Sequence, residues 1–546
     1  MRSTRGLSCM YYIVGSGPAG IACAYALTST GRTVTILDGG VALEPEREAI
    51  RAAAALRPRA EWTEPEIAVL RTVVPGSGDV PQKLVHGSDY PYRRPAGAPD
   101  IRYGKLNIRA SYAKGGLSNV WGAALLPYRD ADIGAWPLSA ADLAKSYAEV
   151  LALMPVSGRD DDLSPLFPLP SRSMRSLRQS RQIARLLRRA ARYKTKLNAG
   201  GVFVGGSRLA VNADEQGDAP SCCYSGYCLH GCPRDVVYSS RHSLAELVKS
   251  GRARYQPGVI VRAVAETENG VRIEALRGDG SRVSLDGERL FLGAGAISST
   301  AILMRSLGLY DREARLKDSQ YFLFPMLQAR SVPRVADESL HTLSQGFIEI
   351  FDETISPFAV HLQVYSYNDH LGQILDHKLG ALKHLFPKNL LLGRFLLVQG
   401  FLHSDHSGAI VARLRREGDN DVFDLSESLN PETRPKIAQV LRKLTRQAFS
   451  LGAAPLAPLL QMTEPGRSFH VGGSFPMAAD PGPGQTDRLG RPHGAERIHV
   501  VDATVFPTIP ATTITLPVMA NAHRIGLEAS RIDGLGNEPA ESGFHP

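Results

Sequence analysis

The sequence predicts a mixed α/β protein in which a parallel nucleotide-binding sheet is interrupted by a second lobe built on an antiparallel sheet. Three observations carry that reading. Tyr11-Tyr-Ile-Val-Gly-Ser-Gly-Pro-Ala-Gly20 is a short β-branched strand that runs into Gly15, Gly17 and Gly20 and then into a helical stretch from Ile21 to Thr28. Almost five hundred residues later, Val500-Val-Asp-Ala-Thr-Val-Phe-Pro-Thr508 reads as the returning half of the same site. Between Tyr321 and Leu414 the chain alternates apolar and polar residues, as in Gly346-Phe-Ile-Glu-Ile350 and Phe358-Ala-Val-His-Leu-Gln-Val364, the pattern of half-buried antiparallel strands.

Taken in order, the first element is a Rossmann-like dinucleotide fingerprint. Gly15 permits the tight turn, Gly17 lets backbone approach a pyrophosphate, and Gly20 lets helix and strand pack closely. The helix N-terminus adds amides and a positive dipole end. The next strand, Thr33-Val-Thr-Ile-Leu37, ends on Asp38, where a carboxylate accepts hydrogen bonds from an adenosine ribose. A glycine-rich turn alone is weak evidence, but strand before, helix after and acid on cue make it a dinucleotide site; the pattern does not choose between FAD and NAD.

An excursion from Glu44 to Arg109, rich in Pro, Gly and Arg, leads to a second lobe opened by Trp136-Pro-Leu-Ser and the helical Ala140 to Met154. Short strands with Gly-containing turns follow at Val259-Ile-Val-Arg-Ala-Val264, Val271-Arg-Ile-Glu-Ala275, Arg282-Val-Ser-Leu285 and Leu290-Phe-Leu292. Pro431 to Leu451 has a helical period. The expected organisation is a discontinuous nucleotide domain (11–125, 202–309 and 465–535) and a discontinuous substrate domain (126–201 and 310–464).

Composition sets the class. Of 546 residues, 43% are hydrophobic and 21% charged, ordinary globular values that exclude global disorder. There is no internal repeat and no apolar run of membrane-spanning length. The nucleotide-binding strand begins so near the start that no apolar signal region fits before it, which makes a cytoplasmic location the expectation. The net charge of +9 is concentrated in Ser171 to Lys196, which carries Arg172, Arg175, Arg178, Arg181, Arg185, Arg188, Arg189, Arg192, Lys194 and Lys196 and no acid. Such a segment either lies on an anionic membrane surface or packs as a solvated helix by one face; without Trp or Phe to anchor it in lipid, packing is favoured. No basic-aromatic module supports nucleic-acid binding.

Further motifs carry a resemblance. Ala113-Lys-Gly-Gly-Leu-Ser-Asn-Val-Trp-Gly122, Leu292-Gly-Ala-Gly-Ala-Ile-Ser-Ser-Thr-Ala-Ile-Leu303, Ser468-Phe-His-Val-Gly-Gly473 and the Asp502 segment stand in the order and at about the spacing of the glucose-methanol-choline (GMC) oxidoreductases. The chain resembles that family from end to end, most strongly around the nucleotide site and least between Leu309 and Leu460. Within it the chain resembles bacterial sugar and aminosugar alcohol dehydrogenases of biosynthetic pathways, pyranose oxidase, and the flavin subunits of gluconate and glucose dehydrogenases. The resemblance implies FAD, a small alcohol as substrate (a sugar, aminosugar or polyol) oxidised to aldehyde or ketone, and an acceptor such as a quinone, dye, redox protein or oxygen. It implies cofactor contacts from Gly15, Gly17, Gly20, Asp38, Gly115, Gly116, Ser118, Asn119, Ala294 and Asp502, with Val261 beside the adenine. Pyranose oxidase tethers its flavin through a histidine at the position of Val120, so FAD is expected to be non-covalent here.

Alcohol oxidation needs a base for the hydroxyl proton as hydride leaves the carbinol carbon for flavin N5, and histidine suits neutral pH. Of fifteen histidines, His470 stands about thirty residues before Asp502, as the family's catalytic histidine does. A second His or Asn is usual eleven positions after the aspartate; here that position is Thr513, which can hold a substrate oxygen but cannot act as base. That departure keeps a non-redox alternative open, a lyase or structural relative on the same fold.

Ser221-Cys-Cys-Tyr-Ser-Gly-Tyr-Cys-Leu-His-Gly-Cys-Pro233 places Cys222, Cys223, Cys228 and Cys232 within one loop. It has the bacterial ferredoxin spacing with Ser225 for the second cysteine, and it resembles the flavin subunits of glucose and gluconate dehydrogenases, which carry a three-iron cluster. Iron–sulfur, zinc, and plain thiols or a local disulfide all remain open.

Overall fold

The computed structural model describes residues 10–71, 83–168, 174–216, 219–367, 391–418 and 420–532. The fingerprint strand, Tyr11–Val14, is buried along its whole length because it is central in a five-stranded parallel sheet. Arg289–Leu292 lies on one side and Val34–Asp38 on the other, so that Ile13 faces both Phe291 and Ile36. Ile498–Val500 and Ala253–Pro257 form the edges. Thus the strand leading to Asp502 comes back two places from the fingerprint strand.

The helix Pro18–Ser29 starts at Gly17 with Pro in its first turn, where the missing N–H costs nothing. A Cβ on Gly20 would stand 2.0 Å from the Gly15 carbonyl oxygen, which is why the turn requires glycine there. Helix Thr515–Ile532 packs across Pro18–Ser29, its Gly526 lying against Cys23 and Ala26.

The substrate lobe is an antiparallel sheet in the order Ala453–Pro455, Tyr321–Gln328, Phe395–Phe401, Ser356–Tyr365, Gly346–Asp352, Val202–Gly206, with Gln461–Met462 also pairing Tyr321–Gln328. Alternation divides its faces. Phe322, Phe324, Met326, Ile348, Ile350, Val360, Leu362, Leu396 and Val398 form one buried core with Ile183, Leu186, Ile437, Val440 and Leu444 from the helices Arg181–Arg192 and Thr433–Arg446. The other face turns toward the parallel sheet. Val202–Gly206, placed by the sequence reading at the start of a nucleotide segment, instead pairs with Gly346–Asp352 as an edge of this substrate sheet. A second sheet joins the lobes: Val471–Gly472, Glu313–Asp318, Ala409–Glu417, Asn420–Ser428 and Asp100–Arg102. Such non-local pairing leaves no mark in a five-residue window. Val259–Thr267, Gly270–Arg277 and Arg282–Gly287 form a separate antiparallel sheet, as the turns implied.

The basic segment packs by one face. Gln182, Ile183, Leu186 and Ala190 are buried, while Arg175, Arg178, Arg181 and Lys194 pair with Asp214, Glu215, Glu338 and Asp162. Arg172 lies outside the described residues, as do positions 533–535 of the expected last nucleotide segment. Among the described residues, no helix is long and apolar enough to cross a membrane.

Candidate active site

A cavity of about 1160 Å³ runs from the fingerprint turn to the free face of the antiparallel sheet. Sites for one small ligand are typically about 300–1,000 Å³, so this space suits a dinucleotide and a second molecule. Its nucleotide end is lined by Gly15, Ser16, Gly17, Asp38, Gly116 and Ala294, its far end by His470 and residues of the sheet.

Asp38 ties the nucleotide end together. Its Oδ2 accepts from Ser16 N at 2.7 Å; its Oδ1 accepts from Gly40 N at 2.7 Å and the Tyr255 hydroxyl at 3.2 Å. Burial pushes the carboxyl upward, and these donors offset part of that shift. The Gly115 amide donates to Ser16 Oγ at 2.9 Å, docking the 113–120 loop on the fingerprint. Gly116, at φ +56°, lies so close to Gly17 that a Cβ would stand 3.2 Å from its Cα.

Two expected donors are spent inside the protein. Ser118 Oγ donates to Gly115 O at 2.6 Å and meets Ser239 and Ser240, and the Asn119 amide donates to Lys114 O and Gly116 O. Both side chains shape the loop rather than reach outward, although Ser118 borders the cavity. Asp502 also acts internally, accepting from Gly295 N at 2.8 Å, Ser299 Oγ at 2.5 Å and Thr504 N at 3.0 Å. It thereby fixes the start of helix Ala296–Ser306 beside Ala294. Val261 is buried in the separate antiparallel sheet and is not part of the cavity wall. The exposed helix start at Gly17, the Gly17–Gly116 approach and the acid on the second strand fit a dinucleotide; Val120 borders the cavity without a nucleophilic atom.

His470 is at the other end. Its backbone N–H donates to Ser468 Oγ at 2.8 Å, and Ser468 Oγ donates to Asp318 Oδ1 at 2.6 Å. The Ser319 amide donates to His470 O at 3.1 Å, and Phe469 just before it has φ +59°. A non-glycine residue in that region costs on the order of 1–3 kcal/mol, and the anchored Ser468 and Ser319 contacts hold it. The imidazole stacks on Phe401 at 5.1 Å, and its Nδ1 is buried without a hydrogen-bond partner. Burial, with His361 adding, lowers its pKa to about 3, so the ring is neutral and proton-accepting at neutral pH. Burial raises Asp318 to about 7.

Thr513 is buried behind the wall, with Oγ1 unpartnered, while Ile514 and Thr515 border the cavity. It does not join His470 there as the sequence spacing implied. The cysteine loop lies near the cavity, which Leu229 and His230 border. Cys222, Cys223, Cys228 and Cys232 are free thiols, and burial pushes Cys232 to about 12. Among the described residues, no group of three or more His, Cys, Asp or Glu side chains is placed to hold a metal ion, so the iron–sulfur and zinc readings find no support. Half-buried Lys83 donates to Trp121 O at 3.2 Å on the wall between, its pKa lowered by desolvation to about 8.

Sequence reasoning missed Ser16, Asp318, Ser468, Tyr365 and Gln399. A readable signal existed for the last: Gln399 interrupts the apolar run Phe395-Leu-Leu-Val-Gln-Gly-Phe401 at a position in phase with the cavity face.

Comparison with known proteins agrees with this geometry. Residues 431–522 match the family model described as GMC oxidoreductase, and residues 13–41 match a NAD(P)-binding Rossmann-like domain. Pyridoxine 4-oxidase from Mesorbium loti superposes over 97% of this chain and 100% of its own, with TM-score 0.57 and 15% identity. A formate oxidase covers 97% of this chain and 99% of its own, with TM-score 0.58 and 12% identity. An Aspergillus oryzae RIB40 formate oxidase variant described for its FAD modification gives 97%, 99%, 0.57 and 13% for the same quantities. No curated protein sequence matches the chain. The protein therefore has the α/β fold of these oxidases, with a Rossmann-like domain and antiparallel sheets, and its residues 431–522 carry a GMC oxidoreductase domain.

Proposed function

We propose that the protein is an FAD-dependent oxidoreductase that converts a primary or secondary alcohol to the aldehyde or ketone. The observation that carries this reading is a neutral, unpartnered imidazole, His470, in the same cavity as a dinucleotide fingerprint. The bound flavin supplies the acceptor for the hydride that leaves the carbinol carbon. Gly17, Gly116 and the start of helix Pro18–Ser29 give the pyrophosphate its backbone surface, and Asp38 fixes the turn beside the ribose position. His470 takes the hydroxyl proton, which balances the two-electron oxidation. Asp318 and Ser468 act through its backbone and hold it in place. Val120 supports non-covalent retention of FAD.

The sugar or aminosugar expected from the family resemblance gains little from the wall. Among the described residues, the carboxylates that line the cavity, Asp38 and Asp502, belong to its nucleotide end and are occupied by backbone donors, and neither is left to receive an amino group. Purified protein should be yellow, release FAD on acid precipitation and bleach on addition of an alcohol under argon. Colourless protein that takes up no FAD, or flavin that no alcohol reduces, refutes the reading, the latter in favour of a non-redox relative.

A further inference from the structure

Among the described residues, the cavity face of the antiparallel sheet is mostly apolar, with Gln461 at one edge and one hydrogen-bonded row through its middle. Register places Tyr321 beside Phe401 and His361, Leu323 beside Gln399 and Gln363, and Pro325 beside Leu397 and Tyr365. Tyr321, Leu323, Leu397 and Phe401 are wall residues. Gln399 and Tyr365 are wall residues too, and they end a chain that begins deep in the sheet.

The polarity of that chain follows from proton counting. His361 Nδ1 lies 2.6 Å from Glu349 Oε1 with both side chains fully buried, a length expected of a charge-assisted bond donated by the ring. Burial pushes the Glu349 carboxyl up, while the hydrogen bond from the His361 ring and the Arg129 guanidinium act to hold it charged. With its proton on Nδ1, His361 accepts at Nε2, where Gln363 Nε2 stands at 3.2 Å. Gln363 Oε1 then accepts the Tyr365 proton at 2.9 Å. Gln399 Oε1 also lies 3.1 Å from Tyr365 Oη, yet a phenol has one proton. Half a turn of the Gln399 amide, which leaves its shape unchanged, lets its NH2 donate to Tyr365 Oη, so that each bond along the row has one donor and one acceptor. Each group now donates toward Glu349, and the end left at the cavity is an oxygen.

We infer that this site takes a neutral, largely apolar alcohol bearing a second, hydrogen-bond-donating group, and that Gln399 is the acceptor that selects it. The inference rests on the oxidation reading for the position of the reacting hydroxyl, at His470. Gln399 lies two strand residues from Phe401, the ring on which His470 stacks, a separation of about 7 Å. An aromatic ring with para substituents spans that distance. Tyr365 is a positioning residue, acting through Gln399.

The test uses the flavin-loaded protein with 4-hydroxybenzyl alcohol, 4-methoxybenzyl alcohol, benzyl alcohol and glucosamine, read by calorimetric binding and by anaerobic flavin bleaching. The 4-hydroxy compound should bind about tenfold more tightly than the 4-methoxy compound, the worth of one buried hydrogen bond. Gln399→Leu and Tyr365→Phe should each raise its Kd and KM toward those of benzyl alcohol with a smaller change in kcat, whereas Gln399→Glu, which keeps an acceptor, should retain the preference. Tighter binding of the 4-methoxy compound means the chain runs the other way and overturns the assignment. Preference for glucosamine, no binding of any aromatic alcohol, or a preference that survives both Gln399→Leu and Tyr365→Phe overturns it as well. Ordered binding without bleaching refutes the oxidation reading and leaves the substrate class standing.

Discussion

Replacing Asp38 by Asn changes one atom and separates two roles of this residue. If the carboxylate served only a ribose, Asp38→Asn would weaken cofactor retention and leave the apoprotein unchanged. The structure gives it three protein donors, two of them backbone amides at 2.7 Å. Asparagine has one acceptor oxygen. Kept at the Oδ1 position, it still serves Gly40 and Tyr255 and turns its NH2 toward the Ser16 amide, donor against donor. One bond is lost and one buried N–H is left unsatisfied, a cost of about 1–3 kcal/mol. The relief of burying a neutral group in place of a carboxylate offsets part of this, so the lower half of that range is expected. Urea unfolding of the apoprotein, followed by a probe of the nucleotide domain, measures it. An Asp38→Asn apoprotein with the wild-type midpoint would refute the assignment of Asp38 to the turn and make it a ligand group alone.

Other expectations follow from the same geometry. His470→Ala should retain the flavin spectrum and slow anaerobic flavin reduction by about 100-fold or more, the range for a positioned base; an unchanged rate moves the base elsewhere. Because the His470 pKa is lowered to about 3, the rate of that step should stay flat from pH 8 to 5, and a break near 6.5 would contradict the burial of the ring. His86, His341, His403, His470, His499 and His523 all have folded values held at about 3 or 4 by burial. Depressed values mean that the unfolded chain alone binds protons below about 6.5, so their contribution is complete above that pH and is lost toward 4, at about 1.4 kcal/mol per histidine and pH unit. Asp318, raised to about 7, opposes with the contribution of one proton over part of the range, and the midpoint of unfolding should still fall between pH 7 and 5; a flat midpoint refutes the balance. Exposed Cys223 of the cysteine loop should react with a thiol reagent in the native state and Cys23, buried in helix Pro18–Ser29, only on unfolding, and metal analysis of protein prepared under argon should find no stoichiometric iron or zinc.

The sequence by itself determined the local parts. The fingerprint turn, its helix and Asp38 were legible because each depends on residues a few places apart, where glycine, proline and period leave a direct trace, whereas His470 was singled out by the family resemblance. The alternation in Gly346–Asp352 and Ser356–Tyr365 likewise announced antiparallel strands. Only the tertiary structure decided which groups share a space. Thr513 has the spacing of a wall residue but is buried behind it, since the turn before helix Thr515–Ile532 presents Ile514 and Thr515 instead. Ser118, Asn119 and Asp502 have the residue types of ligand donors and acceptors, and their capacity is used by backbone partners that no linear motif displays. Four cysteines in one loop looked like a ligand set, yet no three of their side chains are placed to hold an ion. Gln399 shows in the sequence only as a polar break in an apolar strand; its role comes from Tyr365, Gln363, His361 and Glu349, which strand register alone brings into line. Hydrogen-bond capacity is a property of an atom, but whether it remains available is settled by its neighbours in space.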